Sequence, residues 1–313
     1  MVKRARRSPK RMALRAASLA FLALVGWLLL RYARNVDWPA VFAAIAAYDA
    51  RTLAIVLALV VASYATYACY DLVGRRYAGH ALSTRRVLLI AATSYAFALN
   101  LGALVGGAGF RFRMYAHSGL RAACIGRVVA FSMVTNWLGY VALAGIVFAS
   151  GAVQPPPRWG LSDAVLPLAG MAMLAVAGAY LLACAKWRGR TFQVRGHRFR
   201  LPTPGVGALQ MGLAALNWSL MAAILFVLLG GQPAWPLVLA TLLLAAVASA
   251  MVHIPAGIGV LEAVFVAVLG MLVPETRLLA GVLAYRAAYY LLPLLFALAF
   301  YAGFEARRGR SML

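Results

Sequence analysis

Apolar residues in this chain come in blocks of about 20, the length of helix that crosses the roughly 30 Å hydrocarbon core of a bilayer at a rise of about 1.5 Å per residue. The blocks cover about 12–32, 52–74, 128–150, 163–185, 206–229 and 278–304, and the short segments between them hold most of the charge. Each block predicts a membrane-crossing helix. Two further apolar regions, 87–110 and 237–273, are interrupted by backbone-breaking residues. The first contains NLGALVGGAG (100–109) and the second HIPAGIG (253–259).

Lys and Arg are retained in cytoplasmic loops, so the charged segments predict sides. GRRYAGHALSTRR (74–86) and KWRGRTFQVRGHRFR (186–200) are strongly basic and read as internal. The loop with Asp37 and Asp49, the segment QPPPRWG (154–160) and the segment GGQPAWP (230–236) are poor in cations and read as external. A single crossing by 87–110 would strand Arg111, Arg113 and Arg121 outside. That region is therefore expected to enter the membrane and turn back, with its turn near 100–109 and Gly106 and Gly107 as the turn residues. The apolar arms 237–252 and 259–273 form a second hairpin of opposite orientation around Pro255, Gly257 and Gly259. Non-helical backbone at such depth requires shielding by protein or a water-filled cavity.

The predicted fold is all-α and polytopic, with about six full spans plus two oppositely oriented re-entrant hairpins, or eight spans if the second hairpin crosses fully. It forms one integral membrane domain over 1–313. Both termini are expected to be cytoplasmic, with basic segments at 1–11, 186–204 and 305–313. The basic start runs into its apolar block without a small-residue cleavage site, so it reads as a retained first helix in a bacterial-type inner membrane.

Composition supports the same class. The chain is 65% hydrophobic and 12% charged, too apolar for a soluble surface. It carries 30 Lys+Arg against 7 Asp+Glu. Because the cations sit in short loops, the surplus marks topology and contact with anionic lipid headgroups, and no nucleic acid partner is expected. Cys69, Cys124 and Cys184 have neither a disulfide framework nor metal-ligand spacing, so no metal and no cofactor are expected. No phosphate-binding loop and no nucleophile–base pair is visible, and an enzymatic role is not expected.

The candidate chemistry lies in charges placed where they are expensive. An ionised Glu262 at mid-bilayer costs about 3 kcal/mol on insertion scales. The N-terminal dipole of a helix restarting after Pro255, Gly257 and Gly259 offsets only about 0.3–1 kcal/mol of that. A cation, a proton or water must help, unless the carboxylate folds back onto its own glycine turn. Arg286, inside AYRAAYYLLP (284–293), is the expected partner; its alternative is to reach an interface along its own stem. Tyr289 and Tyr290 can hydrogen-bond into the same pocket or simply pack between helices.

Arg111 and Arg113 follow the first glycine cluster, where a guanidinium could grip a phosphate through two parallel hydrogen bonds. Their alternative is a plain topological role. Asp71 sits beside Arg75 and Arg76 and reads as an interfacial ion pair with them, or else as a proton site. Asn100, Asn136 and Asn217 read as hydrogen-bonding glue between helices, and His253 either as a group titrating near neutral pH or as a simple hydrogen-bonding residue at the hairpin tip.

Three segments carry a resemblance. PAGIGVLEAVFVAVLG (255–270) is similar to the Pro-Gly-Gly-hydrophobic-Gly-x-x-Glu segment of the lysylphosphatidylglycerol synthase/flippase transmembrane domain family, with Ala256 in place of the first glycine. GGAGFRFRMYAHSGL (106–120) resembles the family's glycine–arginine segment, without its upstream proline and following acidic residue. RAAYYLLP (286–293) resembles its arginine–tyrosine–proline segment. The family comprises the membrane half of the multiple peptide resistance factor and stand-alone relatives. The resemblance implies paired re-entrant elements and lipid handling across the inner membrane. Two-part members attach an amino acid to lipid with a soluble C-terminal domain; this chain stops at Leu313, so that transfer is not expected.

Together these readings predict a transporter that moves an anionic or modified phospholipid, or another envelope lipid, between leaflets. Arg111 and Arg286 would hold its phosphate, and Glu262 would balance charge or carry a proton. The alternative is a membrane scaffold or partner subunit for a separate lipid-modifying enzyme. A homo-oligomer is compatible with either.

Overall fold

In the computed structural model, residues 38–310 are described except 152, 156–159, 161, 189, 195–196, 253–256 and 258, together with residues 23, 27 and 34. The expected first span (12–32) therefore lies almost entirely outside the described residues, as do the segment 1–11, His253 and Pro255.

A short helix α1 (Trp38–Ala46) precedes α2 (Ala50–Ala78), around which the molecule is organised. At 29 residues, α2 is about 44 Å long, more than the hydrocarbon core needs. It starts where the Asp49 carboxylate accepts the Thr52 N–H at 3.1 Å, and stops where Gly79 turns left-handed and donates to the Arg75 carbonyl. α3 (Thr84–Leu101) leads to a π-helical segment (Ala103–Gly109) and the short α4 (Phe110–His117). Then follow α5 (Ala122–Ala149), α6 (Val165–Lys186), α7 (Pro204–Leu228), α8 (Trp235–Val252) and α9 (Val260–Leu269). The last helix is composite: α10 (Glu275–Tyr285), a π-helical segment (Arg286–Leu291) and α11 (Leu292–Arg310).

α2, α5, α6, α7 and the composite helix are each long and apolar enough to cross a membrane. α2 packs against α3, α5 and α7, and α5 against α6 and α7. α6 leaves most of its apolar surface uncovered. Leu168, Met171, Val176 and Leu182 project from it, as befits a helix whose outer solvent is lipid. The chain is an α-helical polytopic membrane protein. To this the basic loop adds one feature read from sequence only as loop, an antiparallel pair β1 (Thr191–Val194) and β2 (His197–Arg200), with Thr191 opposite Arg200.

Both interrupted regions form helical hairpins. In the first, the chain doubles back at Gly102, whose φ of 83° suits a residue without a side chain. The returning π segment lies directly on α3: a Cβ at Gly106 would sit 2.0 Å from the Phe97 carbonyl oxygen. Phe97 and Phe110 stack across the two arms with centroids 3.7 Å apart. Gly106 and Gly107 thus permit close contact within the returning arm, whereas the turn expected of them is made by Gly102. In the second hairpin α8 and α9 pack on each other. Gly257 and Gly259 in its tip both have positive φ.

Candidate functional site

The π segment at Arg286 widens the last helix where its guanidinium turns inward, a local irregularity common at functional positions. Glu262 lies in the first turn of α9, directly after the break. The two meet in a bidentate pair: Arg286 Nε donates to Glu262 Oε1 at 2.6 Å and Nη2 to Oε2 at 3.0 Å. Nη2 also donates to the Gly257 carbonyl at 2.8 Å, a backbone group that the break releases from helical pairing. The ring of Tyr290 flanks the guanidinium, 5.7 Å from its carbon. The Glu262 side chain remains 25% exposed and that of Arg286 only 7%. Both carboxylate oxygens face Arg286 rather than the N–H groups of the glycine turn.

A second ion pair joins the first hairpin to α2. Arg111 Nε donates to Asp71 Oδ2 at 3.0 Å and Nη2 to Oδ1 at 3.2 Å. Tyr115 Oη donates to Asp71 Oδ2 at 2.9 Å, and Arg111 Nη2 also reaches Ser132 Oγ at 3.3 Å. Tyr67 covers the guanidinium face at 5.5 Å. Side-chain exposure is 0% for Asp71 and 4% for Arg111, so the pair is sealed. The expected pairing of Asp71 with Arg75 and Arg76 is corrected here. Asp71 faces the protein interior, and Arg75 instead donates to the Leu82 carbonyl and Thr84 Oγ1.

Arg113 binds Glu305 at 2.9 Å, and Tyr301 donates to the same carboxylate oxygen at 3.1 Å, which ties α4 to the end of α11. Tyr289 lies apart from Arg286 and belongs to a ring of four side chains. Ser63 Oγ donates to Asn217 Oδ1 at 2.7 Å. Its single proton is thereby committed, so Tyr289 donates to Ser63 at 2.7 Å, and Tyr95 in turn donates to Tyr289 at 2.9 Å. Asn217 Nδ2 closes the circuit on Tyr95 Oη at a long 3.5 Å. Sequence reading singled out Asn217 but missed Ser63, Tyr95 and Tyr115. Single hydroxyls in apolar helices give no signal until the helices are placed together.

A cavity of about 290 Å3 lies between the hairpins. Ala98 and Ala103 come to its wall from the first hairpin, and Ser249 and Gly257 from the second. Tyr67 and Tyr290, the rings that cover the two arginines, line it too. So does Trp218, whose buried indole N–H has no hydrogen-bond partner among the described residues. This is a mostly apolar space with a few polar groups at its edge, the common form of a small-molecule or lipid-fragment site. Among the described residues, no three His, Cys, Asp or Glu side chains come together as a metal site.

Comparison with known proteins agrees with this architecture. The chain is 42% identical over 290 residues to the inner membrane protein YbhN of Escherichia coli (strain K12), covering 92% of this chain and 91% of that protein. It is 30% identical over 260 residues to the uncharacterized protein slr0712 of Synechocystis, 82% of this chain and 80% of that one. The model of the lysylphosphatidylglycerol synthase TM region matches residues 15–297, so with both buried arginines and both hairpins inside the match, the chain belongs to that family.

Proposed function

We propose that this protein moves a phospholipid, anionic or otherwise modified, between the leaflets of the inner membrane, with its headgroup in the cavity between the hairpins. The carrying observation is the Glu262–Arg286 pair, which shares Gly257 and Tyr290 with the cavity wall and keeps its carboxylate partly open. A lipid phosphate is a stronger bidentate partner for a guanidinium than most groups in a bilayer. To take Arg286 it must displace Glu262. The freed carboxylate then needs a neutralising group, and either a proton or an amine on the headgroup supplies one. The pair thus holds the resting site neutral and exchanges partners when the ligand arrives. In this reading both hairpins are re-entrant, the basic loops and both termini are cytoplasmic, and Arg286 rather than Arg111 receives the phosphate.

The test is reconstitution into vesicles with fluorescent phosphatidylglycerol or phosphatidylethanolamine in one leaflet, with and without a proton gradient. Labelled lipid should reach the other leaflet faster than in protein-free vesicles, and Glu262→Gln should abolish the gain. Label that stays in its leaflet under every condition overturns the reading.

A further inference from the structure

A separate cavity of about 680 Å3 opens where α2 ends, α7 begins and the β-hairpin returns. Arg76 from α2, Arg127 from α5, Arg188 after α6 and Arg200 from β2, all exposed, line it, and among the described residues no carboxylate does. Among the described residues none of the four belongs to an ion pair. Two of the positions are held by hydrogen bonds. Tyr77 Oη donates to the Arg200 carbonyl at 2.7 Å, fastening the end of β2 to α2. Arg127 Nη2 donates to the Ala78 carbonyl at 3.1 Å. Thr203 and Val206, in the first turn of α7, form part of the wall and add the positive end of a 25-residue helix.

Four cations around one space repel one another unless an anion joins them. Cytoplasmic topology asks for basic loops but not for convergence of four separate elements on one cavity. The remaining wall is aliphatic, with Val73, Leu201 and Leu209, and Leu209 is 47% exposed on a helix apolar enough to span the membrane. The complementary ligand is negatively charged at one end and apolar at the other.

We propose that this cavity binds the phosphate headgroup of an anionic phospholipid whose acyl chains lie along α7 beside Leu209. Guanidinium groups grip phosphate oxygens in pairs, and the helix terminus favours the same charge. The site shares no lining residue with the cavity between the hairpins. It does not rest on translocation, since a protein that never moved lipid would still hold one here.

The experiment measures binding of a photoactivatable phosphatidylglycerol at this cavity, read as crosslinks within residues 186–209 of the full-length protein in phosphatidylcholine-containing micelles. Arg76→Gln/Arg127→Gln/Arg188→Gln/Arg200→Gln is compared with an equal loss of charge elsewhere, Arg34→Gln/Arg51→Gln/Arg121→Gln/Arg277→Gln. The first variant should bind about tenfold or more weakly, the second close to wild type. Glycerol 1-phosphate should compete only in large excess. Equal weakening by both variants would reduce the effect to net charge and overturn the proposal. Competition by glycerol 1-phosphate at concentrations similar to the lipid would do the same, by assigning the cavity to a soluble phosphate compound. If the fourfold variant does not fold, Arg188→Gln/Arg200→Gln alone should weaken binding about threefold, and wild-type binding there rejects the site.

Discussion

Arg111 and Arg286 are both buried cations held by a bidentate carboxylate and covered by a tyrosine ring, yet their surroundings differ. Around Asp71 the protein supplies Tyr115 and Ser132 as well, and the carboxylate is fully enclosed. Around Glu262 the carboxylate is a quarter exposed, and Gly257, whose carbonyl accepts from Arg286, lines the cavity. The same chemistry is thus closed in one hairpin and open in the other. A sealed pair can fasten α4 to α2 but cannot exchange partners without water or ligand entering. An open one can. In the proposed reading this difference makes the first pair a structural fastening and the second the one that meets the ligand.

Removing one carboxylate from each pair tests that division, and the larger effect belongs to the sealed site. Asp71→Asn leaves Arg111 buried without a counter-charge, a change that costs about 3–5 kcal/mol. The expected outcome is a large drop in the thermal midpoint of the purified protein, with the loss of function tracking the loss of folded protein. Unchanged stability would mean that the site is wetter than its geometry indicates and would erase the contrast.

Glu262→Gln should destabilise by only about 1 kcal/mol, because the carboxylate is only partly enclosed and Arg286 keeps the Gly257 carbonyl and the Tyr290 ring. Lipid movement should nevertheless be lost. If Glu262→Gln instead lowers stability as much as Asp71→Asn, with lipid phenotypes following protein abundance, both pairs are structural locks. The scaffold reading then prevails.

The two pairs also differ in how far they could be read from sequence. Glu262 and Arg286 stand alone in apolar stretches, each too costly to leave unpaired, and no nearer partner of opposite charge competes within those stretches. Their meeting across a hairpin follows from that cost. Asp71 has Arg75 and Arg76 within two helical turns, and a linear reading gives them precedence. Only the placement of α3 and its returning arm on α2 shows that Asp71 points inward to Arg111, 40 residues away. The five described spans were legible because length and apolarity alone define them. The first turn lies within the expected 100–109, but at Gly102 rather than at Gly106 and Gly107, because close-packing glycines and turning glycines look alike in a sequence. The ring of Ser63, Tyr95, Asn217 and Tyr289 was not legible, since its members come from four helices.

The weakest perturbation completes the series with a carboxylate that water surrounds fully. Asp49 caps α2 from the surface, and its hydrogen bonds from Thr52 hold its carboxyl below the ordinary carboxylate range. A lowered folded-state value means that the ionised cap contributes above the unfolded value, near pH 3.9, and that the contribution fades as the pH falls through the lowered folded value. Asp49→Ala should therefore shift the unfolding midpoint slightly at pH 7, with the difference from wild type shrinking toward acid pH. Asp49→Asn, which keeps an acceptor for Thr52, should stay close to wild type throughout. Neither should alter lipid movement. An effect of Asp49→Ala on transport as large as that of Glu262→Gln would show that exposure does not rank these carboxylates, and the open site would lose its claim to be special.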